Sequence, residues 1–431
     1  MNTKKYNHRI AVVCWCTSPV RGSEFAVSWN YIQQMSKSNK LYVFYGTSGG
    51  GIGNISEVAE WALNNKHDNI EFIDVQLPKT MFTDILNEWR KYSYVYPFYF
   101  QYKLWHQQVK RIVEDYCIRG MVDVVHYLNP IGFKEPGQVR KIHAPYIWGP
   151  VQTVQNRPLK LWKAIRTGGV TAVIDVLMRL VVHNSVLLFS PSVREGVMRS
   201  DVLFAATPLS QRHFKNIFKK DSIYLPENGI LKMERSEPIH WDGTGQLELI
   251  WVGAICYRKA LCIMLDSLAL MSDTDRAKIH LNVVGNGALK EKMKRFVDEK
   301  KLPVTFYGSL SRAEVQRVFM KSHLHVITSI GDATTTVLWE AMSKAIPTLT
   351  LDHCGMAGVV CQKCGIKIPI CSYNKTVESI SNAIHAIIHT PDIIRQLSVG
   401  CLMCAKDFMW DKRIEVFNKA YDDAITHYHS N

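Results

Sequence analysis

Short apolar runs alternate along the chain with stretches whose apolar residues recur at helical spacing. Ile10 to Trp15 and Leu41 to Gly46 read as strands. Between them Phe25, Val27, Trp29, Tyr31, Ile32 and Met35 gather on one face of a helix over Glu24 to Lys37. This is a β-α-β opening. Ile70 to Val75, Val122 to His126, Tyr146 to Trp148 and Val202 to Ala205 continue the strand series. Short strands separated by helical stretches predict a mostly parallel α/β sheet.

The pattern then restarts. Leu247 to Val252 is a strand ending at Gly253, Ala260 to Met271 is helical, and Ile279 to Val284 is a strand ending at Gly285-Asn-Gly287. Helix 288–299, strand Val304 to Tyr307, helix 311–320, strand Leu324 to Ile327 and helix 335–344 follow. A second doubly wound sheet is expected, with ligands in the crevice at the carboxyl ends of its strands. Turn-forming residues at Pro226 to Ile230, Ser236 to Pro238 and Trp241 to Gly245 mark the linker. The expected domains are therefore 1–225 and 226–405. A final helix over 406–431, with Phe408, Ile414, Phe417, Tyr421 and Ile425 on one side, is expected to return across the junction toward the first domain.

Three segments need separate readings. From Trp89 to Trp105, the residues Tyr92, Tyr94, Tyr96, Phe98, Phe100 and Tyr102 alternate in strand fashion around Pro97, while the flanks read helical. A hydrophobic cover on the first domain is sufficient explanation. The apolar run after Met1 to Arg9 is too short for a secretory leader. Val170 to Pro191 is the best candidate for a membrane span, but Asp175, Arg179, His183 and Asn184 interrupt it, and no span is expected.

With 431 residues, 47% hydrophobic and 21% charged, the chain is globular and long enough for two cores. The net charge of +14 is unevenly placed. Residues 1–225 carry 28 Lys and Arg against 16 Asp and Glu, and residues 134–220 carry 14 against 4. Such a field attracts phosphates, nucleic acid or an anionic membrane. No RRM, KH or zinc-finger pattern accompanies it, which argues against nucleic acid. Arg157, Lys160, Lys163, Arg166 and Arg179 instead surround apolar Leu159, Leu161, Trp162, Leu177, Leu180, Val181 and Val182, as at a membrane face; a core helix with a charged outer side is the alternative. The eleven cysteines are odd in number and irregularly spaced, as reduced thiols are. Cys361-x2-Cys364 and Cys401-x2-Cys404 could offer zinc four thiolates. With 36 residues between the pairs and no knuckle glycine assigned to either, buried or incidental thiols are the preferred reading, and no metal is expected.

The candidate chemistry lies at strand ends. Gly285-x-Gly287 alone is either a tight turn or a place where backbone approaches a diphosphate. Gly253 ends a strand, and Arg258 and Lys259 precede the next helix, where a fixed ammonium can neutralise a leaving phosphate; a solvated basic turn is the alternative. In Ser329-Ile-Gly-Asp332-Ala-Thr-Thr-Thr336-Val-Leu-Trp-Glu340, the two carboxylates stand eight positions apart, suited to different parts of an extended ligand rather than to one metal cage. Thr334, Thr335 and Thr336 fall at a helix start, where N–H groups receive phosphate or where ordinary capping occurs.

Taken in order, Arg21-Gly-Ser-Glu24, Val125-His126, Tyr146-Ile-Trp-Gly-Pro150, Pro226-Glu-Asn-Gly229, Val252-Gly253 with Lys259, Val284-Gly-Asn-Gly287, Tyr307-Gly-Ser-Leu310, Asp332-x7-Glu340 and Asp352-His-Cys-Gly-Met356 resemble the motifs of a retaining glycosyltransferase of family 4. The similarity covers residues 9–425 and is greatest to bacterial O-antigen and capsule-building enzymes. It implies an α/β GT-B fold, two Rossmann-like domains facing across a cleft. It also implies a UDP-, GDP- or dTDP-sugar as donor, with no cofactor or required metal. The transferred group is a hexosyl or N-acetylhexosaminyl unit. The acceptor is a lipid-linked oligosaccharide at the cytoplasmic face of the bacterial inner membrane, with the protein peripheral on that anionic surface.

By the same resemblance, Glu340 takes the ribose hydroxyls, Asp332 the sugar hydroxyls, and Lys259 with Arg258 the diphosphate. Gly253, Gly285 and Gly287 lie at the donor. Gly308, Ser309 and Leu310 border the base, and the helix start at Thr334 and Thr335 faces phosphate. His126 lies near the reacting sugar. Gly22 allows a loop to approach the donor, while Arg21, Ser23 and Glu24 stand on the donor or acceptor side, Glu24 equally as a helix cap. The chain departs from the family at Ala254, where Arg is common, at Asp332, where Glu is commoner, and at Ala260 and Ala345, where Gly is common. A soluble sugar or protein acceptor, or a noncatalytic scaffold that keeps nucleotide-sugar binding, are the alternative functions.

Overall fold

The computed structural model describes residues 6–49, 53–65, 67–77, 81, 85 and 95–430, with backbone alone over 95–99. Met1 to Lys5 and the aromatic positions Trp89, Tyr92 and Tyr94 lie outside these residues. The chain divides into two compact units. One comprises Met1–Thr153, Ser185–Asn228 and Arg413–Asn431, the other Val154–Asn184 and Gly229–Lys412.

The first unit is built on β1 (Arg9–Cys16), β2 (Lys40–Thr47), β3 (Ile70–Asp74), β4 (Val124–Asn129), β5 (Tyr146–Val151), β6 (Val202–Ala205) and β7 (Ile223–Tyr224). They pair in parallel in the order β3-β2-β1-β4-β5-β6-β7. Ile10 lies opposite Leu41 on one side and Val124 on the other, so β1 is central. Side chains on both faces of β1, β2, β4 and β5 are buried, which is why these strands read as continuous apolar runs rather than alternating ones. The strand expected over Val122 to His126 starts at Val124, because Asp123 turns its carboxylate to the Arg9 N–H at 2.7 Å.

The aromatic stretch is helical. Val95–Ile118 forms a helix of 24 residues that buries Tyr102, Trp105, Val109 and Val113, a spacing that belongs to one helical face. Trp15 packs edge-on against Tyr102 at 5.4 Å and Trp105 at 5.1 Å, so this helix covers the sheet.

The second unit is built on β8 (Leu247–Val252), β9 (Ile279–Val284), β10 (Val304–Gly308), β11 (Leu324–Ile327), β12 (Thr348–Leu351) and β13 (Gly365–Ile368), in the parallel order β10-β9-β8-β11-β12-β13. Sequence patterning missed β12 and β13, each only four residues long. Helices Tyr373–His389 and Asp392–Cys404 complete the unit before the turn at Ala405–Phe408.

The unit boundaries depart from 1–225 and 226–405. Residues 154–184 pack with the second unit because Leu161, Ala164, Ile165, Ala172 and Val176 join the apolar core of Leu261, Met264, Leu265 and Ile384. Arg413–Asn431, which takes in most of the final helix (Trp410–Ser430), belongs to the first unit. There Phe417 packs on Tyr31 at 5.1 Å, and Arg413 Nη2 donates to the Pro226 carbonyl at 2.7 Å.

The helical run Gly169–Phe189 is long and apolar enough to cross a membrane by length and composition alone, and 17% of its most apolar 18-residue window is buried. Val170, Ile174, Leu177 and Val181 are exposed at helical spacing along one side.

Three buried histidines give the fold a pH response. Burial lowers His106 to about 3, His126 to about 4 and His325 to about 3, against an ordinary value of 6.5. Between those values the unfolded imidazole takes a proton that the folded one refuses. Stability is therefore present above pH 6.5 and falls as pH drops below it, by up to about 1.4 kcal/mol per pH unit for each histidine. Urea midpoints should fall steadily from pH 6.5 to 5, with a smaller slope in His126→Phe; a flat profile would contradict neutral burial.

Candidate functional site

In the second sheet, β8 is the strand from which the order runs out both ways, so the switch point lies between the carboxyl ends of β8 and β11. The loop after β8 carries Arg258 and Lys259, and the loop after β11 carries Asp332. These loops are fastened together. The Ile330 N–H donates to the Arg258 carbonyl at 2.9 Å, and the Thr328 hydroxyl to the Lys259 carbonyl at 2.9 Å.

Asp332 sits between the two cations. Lys259 Nζ is 2.8 Å from Oδ2, Arg258 Nη1 pairs with Oδ1, and Ser329 Oγ donates to Oδ2 at 2.5 Å. Burial first, then the neighbouring Arg258 cation, lowers the Lys259 ammonium to about 8, still charged at neutral pH. Burial also lowers Arg258. Glu340 stands on helix Thr336–Ser343, whose N-cap is Thr335. Burial raises its carboxyl above the ordinary range, against the pull of Arg312 and Lys344. Among the described residues no donor bonds the Glu340 carboxylate; Lys344 Nζ reaches instead to the Glu340 main-chain carbonyl at 3.4 Å and to Glu234 at 2.9 Å.

Glycines set this geometry. A Cβ at Gly285, where φ is +133°, would lie 1.9 Å from the Gly253 carbonyl, and one at Gly287 would lie 2.5 Å from that of Ile255. Both glycines thus serve the close stacking of the β8 and β9 loops. Gly308 follows, accepting from the Gly285 N–H at 2.8 Å. Ser309 is exposed and Leu310 half-buried beyond it. Ala260 and Ala345 take φ of +48° and +56°, a conformation that costs a non-glycine residue about 1–2 kcal/mol.

The sequence reading set Arg157 among the basic residues of a membrane face and did not connect it to this site. It is 3% exposed, donates from Nη1 to the Gly331 carbonyl at 3.2 Å and from Nε to Asp175 at 3.2 Å. Asp175 also accepts from Arg179 at 3.0 Å and from the Tyr257 hydroxyl at 2.5 Å. Arg157 is thus a structural partner of the Asp332 loop, and Arg179 joins it only through Asp175. The signal available was only a basic residue near the end of a strand.

The first-unit candidates differ from expectation. His126 is fully buried in β4; Nδ1 bonds the hydroxyls of Tyr421 at 2.8 Å and Tyr31 at 3.1 Å, and Nε2 bonds the Gly149 carbonyl at 2.7 Å. With both nitrogens engaged inside the core it offers a sugar nothing, and the expected contact is withdrawn. Gly22 meets nothing a Cβ would touch, so no close approach requires it. Ser23 takes the positive φ of +57° and makes no side-chain cap, and Arg21 pairs with Glu57 at 2.7 Å. Glu24 opens helix Glu24–Met35 and accepts from the Ile131 N–H at 3.1 Å, joining the loops after β1 and β4 at the switch point of the first sheet.

Residues 235–398 match the family described as Glycosyl transferases group 1. No curated protein matches the chain. Among solved structures, the chain is similar to the lipopolysaccharide outer core galactosyltransferase WaaB in its apo form, with TM-score 0.64, 14% identity and coverage of 96% of this chain and 98% of that one. The Candida albicans trehalose-6-phosphate phosphatase N-terminal domain gives 0.61 at 14% identity, covering 99% and 98%. Anabaena Alr3699/HepE in complex with UDP gives 0.60 at 11% identity, covering 95% and 98%. Likeness at these identities establishes the fold, and the expected GT-B class of two Rossmann-like domains holds.

A Cβ at Gly331 would fall 1.4 Å from Arg157 Nη1. Gly331→Ala should therefore cost about 1–3 kcal/mol in stability by expelling the guanidinium. The double variant Arg157→Ala/Gly331→Ala should be no less stable than Arg157→Ala alone. Additive losses in this cycle, measured by chemical denaturation, would refute the packing of Arg157 on the Asp332 loop.

Proposed function

We propose that this chain transfers a sugar from a nucleotide-sugar donor to a hydroxyl of a lipid-linked oligosaccharide, with retained anomeric configuration, in the building of a bacterial surface polysaccharide. The observation that carries the reading is the Asp332 carboxylate held by Arg258 and Lys259 at the switch point, inside the segment that matches group 1 glycosyl transferases. Two half-buried cations at strand ends suit a diphosphate. As its oxygens take over Lys259 and Arg258, Asp332 is released toward hydroxyls of the transferred sugar. Glu340, an acceptor with no donor of its own among the described residues, takes the ribose hydroxyls. The helix start at Thr335 adds positive dipole density, and Gly308 to Leu310 border the base.

In the proposed reaction the bond between the anomeric carbon and the diphosphate oxygen breaks first. The acceptor oxygen then bonds that carbon on the same face and passes its proton to the departing phosphate. No protein nucleophile enters, because the departing phosphate itself takes the acceptor's proton on the face it leaves. The first unit is assigned to the acceptor, the second to the donor. Similarity to a lipopolysaccharide outer core galactosyltransferase and to a protein solved in complex with UDP supports a lipid-linked acceptor and a uridine donor.

Peripheral attachment to an anionic inner-membrane surface is part of the proposal. Exposed Val170, Ile174, Leu177 and Val181 lie near exposed Leu159, Lys160, Trp162, Lys163 and Arg166 in sequence. A helix that spanned the bilayer would carry Asp175 into hydrocarbon and break its bonds to Arg157 and Tyr257. Lying in the interface keeps those bonds and buries the apolar side.

A panel of UDP-, GDP- and dTDP-sugars, read by nucleoside diphosphate release with and without lipid-linked glycans, should give turnover that needs the lipid acceptor. Glu340→Ala should weaken donor binding by about 1.5–3 kcal/mol, or roughly 10- to 150-fold; unchanged donor affinity and turnover would sink the role of Glu340. The chain should sediment with anionic vesicles at low salt, and Ile174→Glu/Val181→Glu should abolish this. Failure of the parent protein to bind at low salt would overturn the membrane assignment.

A further inference from the structure

The two cysteine pairs, separated by 36 residues, meet in the second unit. The Sγ atoms of Cys361, Cys364 and Cys404 all lie within 4.8 Å of one another, with Cys361 3.7 Å from Cys364 and 3.4 Å from Cys404. Sulfurs bound at about 2.3 Å to a tetrahedral zinc stand ~3.8 Å apart. We propose that these thiols, as thiolates, hold a zinc ion, with Cys401 as the fourth ligand.

The backbone around them is built for this convergence. Cys361 and Cys364 share a tight turn in which the Cys364 and Gly365 N–H groups donate to the Cys361 carbonyl at 3.1 and 3.0 Å, and the Cys361 N–H points to Cys364 Sγ at 3.4 Å. A glycine does follow the first pair, contrary to the sequence reading. A Cβ at Gly365 would lie 2.2 Å from the Thr348 carbonyl, and one at Gly400 would lie 1.7 Å from that of Lys363. The first glycine presses the turn onto β12. The second lets helix Asp392–Cys404 touch the turn that carries the other pair, backbone against backbone. Incidental thiols would need neither.

Cys401 lies one helical turn before Cys404, is 1% exposed, and donates from Sγ to the Cys364 carbonyl at 3.2 Å. A rotamer change that gives up this bond turns its sulfur to the metal. Cys361 and Cys404 are half-buried, so an ion can enter. Cys364 and Cys401 border the apolar cluster of Leu338, Trp339 and Met356, which backs the helix bearing Glu340. The ion would therefore staple the wall behind that helix.

The full-length chain, isolated reduced and without chelator, should carry one zinc by elemental analysis. Replacement by cobalt should give the thiolate charge-transfer and tetrahedral ligand-field absorption of a sulfur site. Cys361→Ser and Cys404→Ser should each lose most of the zinc, and Cys401→Ser should weaken its retention. Cys371→Ser, exposed and outside the cluster, should keep it. Metal held instead by Asp275, His385 and His389, the other close set of ligand atoms among the described residues, would show no thiolate absorption and would count against the proposal. Zinc-free parent protein without cobalt–thiolate absorption, or a Cys361–Cys404 disulfide in freshly isolated protein, would overturn it, whether or not any variant folds.

Discussion

The second unit depends on one electrostatic arrangement: a carboxylate on the loop after β11 balanced by two cations on the loop after β8. Neither side is stable alone in a half-buried place. Removing a partner from a buried pair leaves an uncompensated charge, which costs far more than the pair itself contributes. That coupling fixes the relative positions of the loops that end the two strands at the switch point. It also makes the arrangement exchangeable, because an anionic ligand can replace the carboxylate as partner to the cations.

Close backbone packing makes that balance possible. Gly285 and Gly287 let the β9 loop sit on the β8 loop, and Gly331 makes room for Arg157 under the Asp332 turn. Arg157 is in turn anchored by Asp175, whose helix carries exposed apolar residues on another side. A single polar network thus reaches from the proposed donor site to the proposed membrane-facing helix within one unit. Ala260 and Ala345 hold the left-handed conformation at some cost, so the loop path is held by its surroundings rather than by local preference.

The strands were legible because burial on both faces leaves mostly apolar runs, unbroken in Ile10 to Trp15 and interrupted only by Glu248 in Leu247 to Val252. Lys259 and Asp332 stand out in the sequence through the order of the motifs that carry them, but that they pair is visible only in the structure. The segment 154–184 was misassigned because a charge count cannot tell which core Leu161 and Val176 enter. His126 was misread for a related reason: its place on β4 was evident, but Tyr31 and Tyr421, which occupy its ring, come from elements far away in sequence. The aromatic alternation before Trp105 mimicked a strand because its two-residue repeat masked the helical face at Tyr102, Trp105 and Val109.

The central claim is that Lys259 and Arg258 exchange Asp332 for a diphosphate, and proton linkage tests it most directly. A diphosphate stabilises charged Lys259, whose value near 8 leaves it increasingly neutral above that pH. Calorimetric titration of UDP in buffers of different ionisation enthalpy, above the range where the nucleotide's own phosphate titrates, should show proton uptake that grows from about pH 7.5 and approaches one proton near pH 9, with affinity falling in parallel. Lys259→Arg, which stays charged throughout, should bind without that uptake. UDP binding with no proton uptake across this range, or uptake unchanged in Lys259→Arg, would contradict the account.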